Sequence, residues 1–107
     1  MNSNFIRSFK TKKELHDQEL IIKNKYYENK EKFKNFTSKL IDNLQNKNNL
    51  SIFINEEKQL NKEYNEILQE SINVYVSLFK IYKHEKNIDK SNYYYNIIKN
   101  TEKLLNK

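Results

Sequence analysis

Phe53, Leu60, Ile67, Val74 and Ile81 recur every seven residues without a break. Tyr64 and Leu78 lie on the companion row, together with Glu57 and Ser71. A seven-residue apolar repeat suits an α-helix and no β-strand, whose side chains alternate with a period of two. The stretch from 51 to 83 is therefore expected to be one helix packed along its full length. The chain contains no glycine and no proline, so nothing inside the pattern breaks it. The same absence removes glycine-rich phosphate loops, nucleophile elbows and two-residue glycine hairpins, which all need cheap positive φ. With no cysteine either, disulfides, thiolate nucleophiles and Cys-ligated zinc are excluded.

Two further helices follow from the same logic. From about Asn4 to Leu44, Leu15, Ile22, Asn29 and Phe36 repeat at seven, with Tyr26, Phe33 and Leu40 as the companion row. Asn29 is the one polar interruption, either a device that sets register or a product of codon drift. The run ends in the asparagine-rich segment 43–49, because asparagine tolerates the left-handed conformation that terminates helices. A second turn belongs within Lys83 to Asp89, with Asp89, or else Ser91, capping a helix over 89–105. That helix carries Tyr94, Ile97, Ile98, Thr101, Leu104 and Leu105. Short connections imply antiparallel neighbours, so residues 1–107 are expected to form one all-α domain. Its architecture is an elongated, up-down-up antiparallel three-helix bundle with coiled-coil-like packing.

Composition enters at two points. The hydrophobic share of 36% and mean hydropathy of −1.03 are low for a folded chain, but the apolar residues are large and periodic, which favours a folded bundle over disorder. The net charge of +6 rests on 20 basic and 14 acidic residues. Arg7 is the only arginine, alanine is absent, and Lys, Asn, Ile and Tyr abound, as AT-rich codons would produce. Arginine is the better bidentate ligand for phosphate and guanine, so the excess charge is weak grounds for nucleic acid. It is also uneven, with 11 basic against 6 acidic residues in 1–50 and 9 against 8 in 51–107. Arg7, Lys10, Lys12 and Lys13 all precede the first acid, Glu14, and would steer an acidic partner. No segment approaches the roughly 18 apolar residues of a membrane span, and Met1 to Lys13 lacks the apolar stretch of a signal peptide. A cytosolic protein is expected.

Catalytic chemistry is poorly served. His16 and His84 belong to different helices and are expected to face solvent or the rim. Neither has a partner at the i+4 spacing of a helical zinc site. Glu56–Glu57 and Asp17–Glu19 read as surface acids, since adjacent helical positions point about 100° apart. No enzyme activity, metal or cofactor is expected. The runs Tyr26–Tyr27 and Tyr93–Tyr94–Tyr95 fan round their helices, so some rings must stay half-exposed, as tyrosines at protein interfaces do.

Several stretches together resemble the tubulin-specific chaperone A (tubulin-folding cofactor A) family. Ile6-Arg7-Ser8-Phe9-Lys10-Thr11-Lys12 is similar to that family's apolar-Arg-x-apolar-Lys-x-Lys opening. Tyr26 falls where its first helix has a Tyr-Glu step; Tyr75-Val76-Ser77-Leu78 with Ile81, then Glu85-Lys86, fit the end of its second helix; Tyr94 matches a tyrosine of its third. The proline found in helix two of some members, and the family's alanines, have no counterpart here. The resemblance implies a cytoplasmic, cytoskeleton-associated, ATP-independent chaperone. It would bind β-tubulin during heterodimer assembly, act with other tubulin-folding cofactors, and be a monomer or weak homodimer. Arg7, Lys10, Lys12, Tyr26, Tyr75, Glu85, Lys86 and Tyr94 become the expected partner-binding residues or their supports. Two other classes remain open from the residues alone: a helical scaffold subunit that oligomerises through its heptad rows, and a basic helical binder of RNA or anionic surfaces.

Overall fold

In the computed structural model, residues 10–45 and 51–105 are described. They form three helices and, among these residues, no strand: α1 (Lys12–Gln45), α2 (Ser51–His84) and α3 (Ile88–Leu105). The helices pack as an elongated bundle measuring 61 × 33 × 22 Å. Helix α2 is central and packs against both neighbours, while α1 and α3 meet through the side chains of Glu19 and Tyr94.

The start of α1 differs from the sequence expectation. Lys10 and Thr11 are not helical, so no continuous helix runs on from Asn4; residues 4–9 of that expected stretch lie outside the described ones. The reason is a reciprocal cap. Glu14 N donates to Thr11 Oγ1, and Thr11 N donates to Glu14 Oε1, both at 3.1 Å. Two otherwise orphaned amides are thereby satisfied, and the helix begins at the next residue. The asparagine turn expected at 43–49 falls largely on residues 46–50, which also lie outside the described part.

The second turn is described in full. Lys86 takes a left-handed φ of 61°, a position usually given to glycine. Its amide donates to the Lys83 carbonyl at 3.1 Å, and the Asn87 amide donates to the Tyr82 carbonyl at 2.9 Å. These two bonds close the last turn of α2. Asn87, rather than Asp89 or Ser91, caps α3: its Oδ1 accepts from Lys90 N at 3.2 Å. Asparagine is among the best caps, and α3 begins at Ile88, one residue earlier than the expected 89.

The heptad rows form the core. Leu15, Ile22, Asn29 and Phe36 from α1 are buried, as are Leu60, Ile67, Ser71, Val74 and Leu78 from α2 and Tyr94 and Thr101 from α3. Phe53 and Ile81, at the two ends of the α2 row, are half-buried. Helix α3 has 18 residues against 34 in each of the others. Being short and antiparallel to α2, it covers the part of α2 that holds Leu68 to Tyr82, where Phe79 and Tyr95 meet at 6.2 Å. The opposite end is an α1–α2 hairpin, held by Phe36 against Phe53 at 6.2 Å.

Candidate functional site

The end of the rod where α1 begins and α2 gives way to α3 gathers its densest polar cluster. Lys12 Nζ lies 2.9 Å from both carboxylate oxygens of Glu85 and 5.0 Å above the Tyr82 ring. One helical turn on, His16 places Nε2 at 2.8 Å from the Tyr82 hydroxyl and Nδ1 at 3.0 Å from Glu19 Oε1. An ionised carboxylate can only accept, so Nδ1 carries the proton, and in the neutral imidazole Nε2 accepts from Tyr82. Glu19 also accepts from the Tyr94 hydroxyl, at 3.1 Å and 3.3 Å to its two oxygens. The chain Tyr82–His16–Glu19–Tyr94 thus stitches all three helices together with partly buried hydrogen bonds. Tyr82 and Tyr94 stack with an interplanar angle of 7° at 5.8 Å.

Electrostatics follow from this packing. Burial, then the negative charge of Glu19 and its hydrogen bond, push the Tyr94 hydroxyl well above the usual tyrosine range. Burial raises the Tyr75 hydroxyl as well. The hydrogen bond that Lys12 donates to Glu85 holds its ammonium above the ordinary value. Beside the cluster runs a groove of about 640 Å³, lined by α1, α2 and the residues at their ends. Leu15, Val74 and Ile81 line it with apolar side chains, while Lys10 and Lys80 bring positive charge to it and Glu70 and Glu85 negative charge.

The structure brings most of the expected partner-binding residues towards this one end. Lys10 donates to Gln18 Oε1 at 2.7 Å and borders the groove. Lys12 and Glu85 pair with each other, and Lys86 occupies the adjoining turn. Tyr75 is half-buried with its ring 5.9 Å from that of Tyr94. Tyr94 is 3% exposed, whereas Tyr93 and Tyr95 are 54% and 49% exposed, so within that run Tyr94 supports the site and its neighbours face solvent. Tyr26 stands apart, farther along α1, with Tyr27 at 6.0 Å and Tyr64 at 6.3 Å. Arg7 lies outside the described residues.

His16 lies at the rim, half-buried as expected, and spacing did not show that it is bonded at both ring nitrogens. The available signal was Glu19 at i+3, on the same helix face; Tyr82, 66 positions away, could not be found by spacing. His84, by contrast, is exposed and borders the groove.

Each group of the cluster already has a partner, and among the described residues no buried side-chain nitrogen or oxygen lacks one. No group of three or more His, Asp or Glu among them is arranged to hold a metal ion, and no helix is long and apolar enough to cross a membrane. No family model, curated protein or solved structure matches the chain.

Proposed function

We propose that this chain is a non-catalytic, ATP-independent tubulin-folding cofactor that binds β-tubulin and holds it during heterodimer assembly. In this reading it works in the cytoplasm in association with the cytoskeleton and alongside other tubulin-folding cofactors. The resemblance described above motivates it, and one observation carries it further: Lys12 and Glu85, which belong to two separate stretches of that resemblance 73 positions apart, meet as an ion pair. Lys10 and Lys86 flank the pair, so this end presents a basic, half-apolar surface over a rigid tyrosine cluster. Such a surface can retain an acidic client by shape and charge alone.

Pull-down of β-tubulin by the purified chain tests the reading, with Arg7→Glu/Lys10→Glu/Lys12→Glu alongside. Capture by the wild type and loss in the variant are expected. Failure of the wild type to capture β-tubulin overturns the proposal, whereas undiminished capture by the variant removes only the steering role of the three cations. Sedimentation equilibrium separates the scaffold alternative, which requires an obligate oligomer indifferent to β-tubulin.

A further inference from the structure

The rows that hold α3 run on past its end. On α2, Asn61, Leu68, Tyr75 and Tyr82 recur every seven residues, and so do Tyr64, Ser71 and Leu78. On α1, Glu19, Tyr26 and Phe33 follow the same repeat. Helix α3 takes the members nearer the α2–α3 turn: the Tyr94 ring lies 5.9 Å from Tyr75 and 5.8 Å from Tyr82, and its hydroxyl donates to Glu19. With 18 residues against 34 in α2, it leaves about 24 Å of the α1–α2 hairpin without a third helix among the described residues. Its last described residue, Leu105, borders Asn61 and Asn65.

Past that point the same rows open into a groove. Tyr26, Asn29, Lys30 and Phe33 of α1, with Asn61 and Tyr64 of α2, line about 230 Å³ between the helices. Tyr26 is 36% exposed, Asn61 is exposed, and Phe33 and Tyr64 are half-buried. Asn29 donates to Leu60 and Glu63, so its amide hydrogens are already satisfied within the hairpin. Charge on the walls is mixed, with Lys30 on α1 and Glu57 and Lys58 on α2, so no single sign selects what binds there. The three rings do, through the apolar area they offer.

The filled part of this seat gives the shape of what fits the rest. One helix lies there, with Tyr94, Ile98, Thr101 and Leu105 at three- and four-residue spacing, each buried or half-buried. We infer that the remainder of the seat binds an amphipathic helix of a partner protein, laid end to end with α3 and packing apolar side chains of that spacing on Tyr26, Phe33 and Tyr64. This goes beyond the tubulin reading and does not depend on it, because Tyr26 stands about 21 Å along α1 from Lys12. A second copy of the chain is a poor occupant: a two-fold interface sets one patch against itself, and two grooves face to face leave the rings uncovered. A single nucleic acid strand could stack on the rings but finds mixed charge in place of a basic track.

The probe is a synthetic peptide of α3's length, with leucine at alternating three- and four-residue spacing and equal numbers of glutamate and lysine, titrated by fluorescence anisotropy. Saturable binding is expected, little changed by added salt because apolar contact carries it. Tyr26→Ser/Phe33→Ser should weaken it by about tenfold or more. Asn61→Trp should do the same by filling the groove. Asn61 is exposed, so helicity by circular dichroism should be retained there, and this variant decides the matter even if the serine variant unfolds. Lys10→Glu, at the other end of the rod, should bind as the wild type does. The inference is overturned if Asn61→Trp binds with unchanged or greater affinity, or if a scrambled peptide of the same composition binds equally. A dimer in sedimentation equilibrium that Asn61→Trp abolishes gives the groove to a second copy and overturns it as well, as does tighter binding of poly(U) RNA than of the peptide.

Discussion

The side-chain amide of Asn29 donates to the main-chain carbonyl of Leu60 at 3.3 Å and to Glu63 Oε1 at 3.1 Å. Asn29 is 1% exposed, and both acceptors belong to α2, so the one polar member of the α1 row fixes where α1 lies along its neighbour. Of the two readings that spacing left open, a register device and codon drift, the geometry favours the first. Asn29→Ala is expected to lower stability by about 1–2 kcal/mol, as the lost hydrogen bonds are not replaced, measurable as a lower urea midpoint. Asn29→Leu should keep or raise the midpoint while broadening hydrogen exchange along α1, because an apolar seam holds register less tightly. An unchanged midpoint in the alanine variant refutes the role.

Alkaline pH should unfold the chain. The Tyr94 hydroxyl is raised by burial and by Glu19, so folded Tyr94 stays protonated where the unfolded chain ionises. Below the ordinary tyrosine value of about 10 both states are protonated and the stability is fully present. Above it the unfolded state gains a charge that the folded state refuses, and stability falls as pH rises. Tyr94→Phe should flatten this loss while costing about 1 kcal/mol at neutral pH. Thermal melts between pH 8 and 11 measure both, and an identical alkaline slope in the variant would remove Tyr94 as the cause.

Acid should act through a different residue. Hydrogen bonds from Asn29, and then from Lys32, hold the Glu63 carboxyl below its usual range. A depressed folded pKa contributes stability above the unfolded value, and that contribution is lost as pH falls through the folded value. Glu63→Gln should therefore lower stability at pH 7 and make the melting temperature less dependent on pH below about 4.5. Parallel acid titrations of both proteins followed by circular dichroism decide it, and superimposable acid limbs would count against Glu63.

Lys86 is the cheapest site at which to stabilise the bundle. A residue with a Cβ in the left-handed region costs about 1 kcal/mol relative to glycine. Lys86→Gly is expected to raise the melting temperature, and Lys86→Val to lower it, with the turn bonds to Lys83 and Tyr82 otherwise intact. If glycine fails to stabilise, the Lys86 side chain is contributing something beyond the turn.

The legible part of this protein is its periodic part. Rows such as Leu60–Ile67–Val74 and Leu15–Ile22–Asn29–Phe36 specify helices and their buried faces, because a repeat of seven without glycine or proline leaves the backbone no competing structure, and the short connections specify their antiparallel order. Cap positions were less legible: Thr11, Lys86 and Asn87 set the helix ends through local hydrogen bonds, reciprocal only between Thr11 and Glu14, whereas cap preference by residue type pointed to Asp89 or Ser91. The Tyr82–His16–Glu19–Tyr94 chain was legible only in its i,i+3 step. What the sequence by itself determined is therefore three amphipathic helices and the rows by which they pack. Tertiary packing alone decided which lysines are spent and which are free. Lys12, Lys25 and Lys32 find carboxylates on or just beyond α2, whereas Lys23, Lys30 and Lys34 find none among the described residues, because a Coulombic pair needs two groups within a few ångströms and helical spacing sets such distances only within one helix.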